Sequence, residues 1–149
     1  MAKNYDNTVE VVAAALIVRK DKNILLIKSH KWGDQYLLPG GHVNPGETIF
    51  EAAQREGEEE TGLKLKPLYC LNVGELIHDP TFHRKAHLIY FHILCEALTE
   101  EVKLDELELK EFIWLSQEEA LQLKNLAGRR TIENYINEVK IDIGSKVYK

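Results

Sequence analysis

Glu47, Glu56, Glu59 and Glu60 share one short stretch with a single arginine, Arg55, in the run GHVNPGETIFEAAQREGEEETGL from Gly41 to Leu63. Carboxylates at that density repel one another unless a cation joins them. Thr48 followed three residues later by Glu51 has the form of a capping box, and Gly62 suits a left-handed stop, so the spacing predicts a helix over Ile49 to Thr61. With about 3.6 residues per turn, Glu56, Glu59 and Glu60 project from one face. Ile49, Phe50 and Ala53 form an adjoining apolar stripe that can dock on a sheet. Each like-charge pair at this spacing costs about 0.2 to 0.5 kcal/mol in water, and more where water is excluded. A divalent cation reverses the sign of that effect. An all-oxygen donor set with no thiolate nearby favours Mg²⁺ or Mn²⁺ over zinc. A run such as Glu58 to Glu60 also describes an ordinary solvated helix face, and the glycines at fixed spacing weigh against that reading.

The whole run resembles the Nudix box, a glycine, five residues, a glutamate, seven residues, and then R-E-U-x-E-E-x-G-U with U aliphatic. Gly41, Glu47, Arg55, Glu56, Glu59, Glu60, Gly62 and Leu63 all fall on that pattern. One position departs, because Gly57 stands where the pattern has a bulky apolar residue. Glycine inside a helix costs about 1 kcal/mol relative to alanine, so either a neighbouring side chain fills the space or the helix approaches its sheet more closely.

The resemblance implies an α/β fold, a Nudix-type α/β/α sandwich with a mixed β-sheet between helices. It implies a Mg²⁺-dependent pyrophosphohydrolase, with Mn²⁺ able to substitute, that cleaves the diphosphate of a nucleoside diphosphate linked to another moiety. Glu56, Glu59 and Glu60 would hold the metal together with the backbone carbonyl of Gly40, while Gly41, Glu47, Arg55 and Gly62 would be structural. The water-orienting base would come from the same helix or from a glutamate downstream. The downstream candidates are Glu108 and Glu111, just before a strand expected over Phe112 to Leu115; Glu100, Glu101 and Glu106 read as solvated loop. The formal charge of −5 agrees with a cation-dependent site, since an acidic chain repels a polyphosphate until a metal neutralises it.

The rest of the chain has to position this run. At 149 residues, with no repeat or low-complexity tract, the expectation is a single domain with a polar, frayed start over Met1 to Thr8. Val9 to Val18 and Ile24 to Lys28 read as a hairpin turning at Lys20 to Asn23, and Tyr36 to Leu38 as a short strand. Leu65 to Leu76 and Ala86 to Cys95 read as two more strands, joined through Asp79 and Pro80. Ser116 with Glu119 makes a second capping box opening a helix over Ala120 to Lys124, and a last amphipathic helix is expected over Thr131 to Val139.

Cys70 and Cys95 lie on apolar strands and are expected as reduced core thiols. No apolar run is long enough to span a bilayer, and no signal-like leader is evident, so the expectation is a cytoplasmic protein with no membrane contact. His78, His83, His87 and His92 raise zinc as a rival, but His87 and His92 fall on opposite faces of one strand with no cysteine between them. Phe82, His83 and Arg84, near a hairpin tip, are candidates for substrate contact, with Lys85 beside them. Trp32, Tyr36, Tyr90 and Trp114 are further aromatic residues of a kind that stacks a base.

The box reads only the diphosphate, so a nucleoside triphosphate, an ADP-sugar, a dinucleoside polyphosphate and a capped RNA end all remain open. Pro80 lies seventeen residues beyond Leu63, close to the spacing of some ADP-ribose-cleaving relatives but without their fuller signature. Basic patches interleaved with aromatics are missing, which argues against a long nucleic acid partner. Family members often form dimers, so a homodimer is compatible with the resemblance. The alternative is a Nudix-fold nucleotide sensor without turnover. A third idea, an acid–base isomerase, would call for a cysteine in an active-site loop, where this chain shows none.

Overall fold

The computed structural model describes residues 5–149. Strand β1 (Val9–Val18) is the spine of a six-stranded sheet in the order β4-β5-β1-β2-β6, with β3 attached to β1. The others are β2 (Ile24–Ser29), β3 (Gly40–His42), β4 (Leu65–Ile77), β5 (His87–Ala97) and β6 (Leu109–Leu115). β1 runs parallel to β5 over ten pairs, from Val9 opposite His87 to Val18 opposite Glu96, while the remaining neighbours are antiparallel, so the sheet is mixed. β4 is an outer strand, which is why Pro67, unable to donate to a ladder, is tolerated there beside a bulge.

Alternation along β1 divides the core. Ala13, Ala15 and Ile17 face helix α1 (Ile49–Thr61), joined by Leu25, Ile27, Ala52, Ala53 and Leu63. Leu16 and Val18 face the other way, with Leu26, Leu71 and Leu94, onto Ala120 of α2 (Gln117–Leu121) and Ile132 of α3 (Arg129–Ile136). Helices thus cover both faces of the sheet. The chain has the α/β/α sandwich architecture expected of it.

Several expected boundaries move. Tyr36 to Leu38 is not a strand: Leu37 makes one isolated bridge with Ile27 and Tyr36 another with Leu126. The chain then passes Pro39, whose carbonyl accepts from the Ala15 N–H, and the strand that forms is Gly40–His42. α2 begins at Gln117 instead of Ala120, because the Ser116 side chain caps the Glu119 N–H and so fixes the first turn directly after it. α3 begins at Arg129 and ends at Ile136, short of Val139, and Glu138 has a φ of 56° that no helix continues through. β6 starts at Leu109, so Glu111 lies inside a strand and not before it.

Of the expected frayed start, residues 1–4 lie outside the described residues. Tyr5 to Thr8 form an ordered turn, with the Thr8 N–H and hydroxyl both donating to the Tyr5 carbonyl, and the Tyr5 ring stacks on His42 at 4.4 Å. Cys70 and Cys95 are both buried and unpaired, and burial raises the Cys95 thiol to about 12.

Candidate active site

The carboxylate face is placed by the ends of α1. The Thr48 side chain accepts from the Glu51 N–H at the start, and Gly62 (φ 74°) stops the last turn by donating to the Glu58 carbonyl. Only the Thr48 half of the expected capping box is made. Glu58, which the run of three glutamates suggested was solvated, accepts from the Leu65 N–H at 2.9 Å and so holds the entry to β4.

Arg55 organises the near side. Its Nε and Nη2 grip both oxygens of Glu47 at 2.6 and 3.0 Å, and Nη2 also donates to the His42 carbonyl at 3.0 Å. Glu47 in turn accepts from the Asn44 N–H, closing the loop 42–48 onto the helix. The other arginine nitrogen, Nη1, reaches Glu56 at 2.8 Å and Glu59 at 3.3 Å. Glu59 is largely exposed.

Glu60 differs from both. It is 7% exposed, and its Oε2 is buried without a hydrogen-bond partner. Desolvation first, and then the charge of Glu56, push its carboxyl up to about 9, against a smaller opposing pull from the Gly40 N–H. Burial likewise raises Glu56, with Arg55 opposing and the charges of Glu59 and Glu108 adding to it. Glycines make the approach of β3 to this face feasible. A Cβ on Gly41 would sit about 2.6 Å from the Glu56 carboxyl carbon, and one on Gly40 would strike the Ala13 carbonyl oxygen and the Ala14 side chain.

These groups fit a divalent cation. An orphaned buried carboxylate oxygen, a second carboxylate raised beside it and an all-oxygen surround form a site whose repulsion a hard cation would relieve. Among the described residues, however, no three acidic, histidine or cysteine side chains converge on one point. Arg55 binds Glu56 and Glu59, and Glu60 has no part in that contact.

Of the two downstream candidates, Glu108 adds its negative charge to both Glu56 and Glu60, and it pairs with Lys31 at 3.0 Å. Glu111 instead accepts from the Tyr36 hydroxyl at 3.0 Å and lies 3.4 Å from the Lys28 ammonium. The structure therefore groups Glu108 with the box carboxylates and Glu111 with Lys28 and Tyr36.

Gly40 and Gly41 also line a cavity of about 360 Å³, walled by Val12, Ala14, Leu38, Leu88, Trp32 and Phe82 among others. The two glycines thus stand between an apolar chamber and the carboxylates. Trp32 and Phe82 pack on each other at 4.4 Å, and Tyr90 and His92 line the same chamber. Tyr36 and Trp114 are used elsewhere, under Lys28 and Arg19 respectively.

Of the hairpin-tip candidates, Phe82 faces the cavity, but Arg84 does not offer a free cation. Both its terminal nitrogens grip Glu10, at 2.8 and 2.6 Å, and Glu10 also takes a 2.7 Å bond from His42. His83 is held through its N–H by the Lys31 carbonyl, and burial, with Arg84 and Lys31 nearby, lowers its pKa. The four histidines do not gather: His87 pairs with Glu75 and His92 with Thr131. The sequence reading missed Lys31 and Gln35 as cavity residues. Only their place beside Trp32, in the loop before β3, could have drawn attention to them.

A family model described as the NUDIX domain matches residues 9–135, and the chain belongs to the Nudix family. It is 35% identical over 115 residues to a probable DHNTP pyrophosphohydrolase of Lactococcus lactis, covering 74% of this chain and 66% of that one. It is 36% identical over 108 residues to an ADP-ribose pyrophosphatase of Methanocaldococcus jannaschii, covering 70% and 62%. A third relative, an m7GpppN-mRNA hydrolase of Xenopus laevis, is 32% identical, and the match spans only 42% of its length. The chain thus spans less than two thirds of the length of these curated relatives. Among solved structures it resembles the MutT protein from Methanosarcina mazei Go1, with a TM-score of 0.74 and 25% identity over 91% of this chain and 98% of that one.

Proposed function

We propose that the chain is a divalent-cation-dependent pyrophosphohydrolase that cleaves the diphosphate of a nucleoside diphosphate linked to another moiety. The observation that carries this is the buried, unpartnered Glu60 oxygen beside Glu56, joined through Gly40 and Gly41 to an aromatic-lined cavity. Nudix hydrolases generally need a divalent metal. Here Mg²⁺ or Mn²⁺ suits the oxygen donors Glu56, Glu59, Glu60 and the Gly40 carbonyl. When bound, the cation neutralises the diphosphate and acidifies a water.

The chain's own residues do the rest. The cavity takes the aromatic end of the nucleotide against Trp32 and Phe82, which sets the diphosphate over β3. Lys31, on the cavity wall and paired with Glu108, supplies positive charge to an incoming phosphate. Glu108 is the carboxylate we assign to accept the proton of the attacking water, since its charge acts on both Glu56 and Glu60 whereas Glu111 lies with Tyr36 and Lys28. Arg55 and Glu47 hold the loop against the helix and touch no reacting atom. Small nucleotide-type molecules are the substrates this supports, in a homodimer or a single chain. The buried free thiols accord with a cytoplasmic setting.

The test is release of phosphate and nucleoside monophosphate over a panel of nucleotide derivatives, with Mg²⁺, with Mn²⁺ and with chelator. Cation-dependent cleavage supports the reading. Tight nucleotide binding with no cleavage across the panel would favour the sensor instead.

A further inference from the structure

We propose that His92 is a specificity-determining residue of the nucleotide site, presenting a fixed Nε2–H donor to a ring-nitrogen or carbonyl acceptor of the heterocycle in the cavity. This rests on reading the cavity as the seat of the aromatic end of the nucleotide.

His92 sits on β5 opposite Ala14, and both line the chamber. Its Nδ1 lies 2.6 Å from the Thr131 hydroxyl oxygen. Thr131 is fully buried at the start of α3, and the same oxygen accepts from the Asn72 side-chain amide at 3.2 Å. A hydroxyl has one proton to give. Among the described residues the other hydrogen-bond partner of this oxygen is the Asn72 amide nitrogen, which cannot accept, so the hydroxyl proton goes to His92 Nδ1 and the imidazole carries its hydrogen on Nε2. Burial lowers the ring's pKa to about 4, which keeps it neutral near pH 7 and the tautomer defined.

The ring is also held in place. Tyr90 packs against it at 4.5 Å, and Tyr90 can lie there because Gly74 across the ladder has no side chain; a Cβ would overlap the Tyr90 hydroxyl. No described residue meets Nε2. Ala14, Leu38, Leu88 and Ala127, which line the same chamber, carry no side-chain acceptor. An N–H donor kept ready in an apolar chamber discriminates, because a ligand that fails to accept leaves it unsatisfied. The relay Asn72, Thr131, His92 draws on β4, α3 and β5, so it orients the donor from three elements.

The test uses the intact chain with chelator present, titrated calorimetrically with GMP, AMP, UMP and ribose 5-phosphate. The wild type is expected to bind at least one nucleotide more tightly than ribose 5-phosphate. His92→Phe should lose roughly tenfold on that nucleotide and nothing on ribose 5-phosphate. Thr131→Val should lose several-fold, and its histidine ¹⁵N spectrum should show mixed tautomers where the wild type shows the Nε2–H form alone. If His92→Phe does not fold, the wild-type spectrum and Thr131→Val still decide the matter. A wild type with its proton on Nδ1, one that prefers no nucleotide over ribose 5-phosphate, or equal losses on all ligands overturns the proposal. No bond is cleaved in these titrations, so a chain inert towards every anhydride would sink the hydrolase reading and leave this inference standing.

Discussion

Glu60 is the residue on which the site turns, because a carboxylate 7% exposed with one oxygen unpartnered costs the fold free energy that a cation would return. Glu60→Gln keeps the shape and removes the carboxyl that must take up a proton or a cation on burial. With chelator present, its thermal midpoint should rise by a few degrees, on the order of 1 kcal/mol, and its Mn²⁺ affinity should fall at least tenfold. A lower midpoint would contradict the burial argument. The sequence placed Glu60 on the right face but could not show it buried, because burial comes from distant segments. Gly40 approaches from one side, and Asp105, whose N–H donates to the Glu60 carbonyl, lies in a loop forty-five residues further on. His92 provides a pH test at the same scale. Its folded pKa of about 4 lies below the ordinary 6.5, so between those values the unfolded chain binds more protons. The stability linked to His92 is present above about pH 6.5 and is lost as pH falls towards 4. Chemical denaturation across that range should show a shallower pH slope for His92→Phe than for the wild type.

At the level of elements, α1 was legible to both ends because Thr48 and Gly62 are local signals. β3 was not, since two of its three residues are glycines and no propensity marks them as a strand. They pair with β1 because only glycine fits against Ala13, Ala14 and Glu56. Gly57 answers the question its position raised, and both alternatives hold at once. A Cβ there would lie 2.6 Å from Leu65 Cδ1 and 3.3 Å from the Ala15 Cβ, so the helix sits close to the sheet and Leu65 fills the remaining space. Gly57→Ala therefore gains about 1 kcal/mol of helix propensity and loses about 1 to 3 kcal/mol to overpacking, since Leu65 is itself buried in the core. Urea unfolding should show a net loss of up to about 2 kcal/mol. A stabilised variant would mean that Leu65 yields freely.

Across the whole molecule, the two halves of the site are tied by a buried carboxylate far from the box in sequence. Glu10, 3% exposed at the start of β1, grips Arg84 from the β4–β5 connection and His42 from β3. Glu10→Gln should cost about 1 to 3 kcal/mol in urea unfolding, since it weakens charged hydrogen bonds to two partners. An unchanged midpoint would mean the clasp contributes nothing. Nothing local announces this contact, because its members are 32 and 74 residues apart in the chain. The box itself was readable because its groups lie within one helix and one turn. The cavity was not, because Val12, Trp32, Phe82 and His92 meet only after the parallel pairing of β1 with β5 and the folding of the loops over it. Whether Glu60 holds a catalytic cation is decided by product release from a panel of nucleotide anhydrides with Mg²⁺, with Mn²⁺ and with chelator, run on the wild type and on Glu60→Gln. We expect nucleoside monophosphate and a second phosphorylated product from at least one compound, abolished by chelator and lowered at least a hundredfold by the substitution. Turnover that survives chelator, or that Glu60→Gln leaves intact, would contradict that role for Glu60.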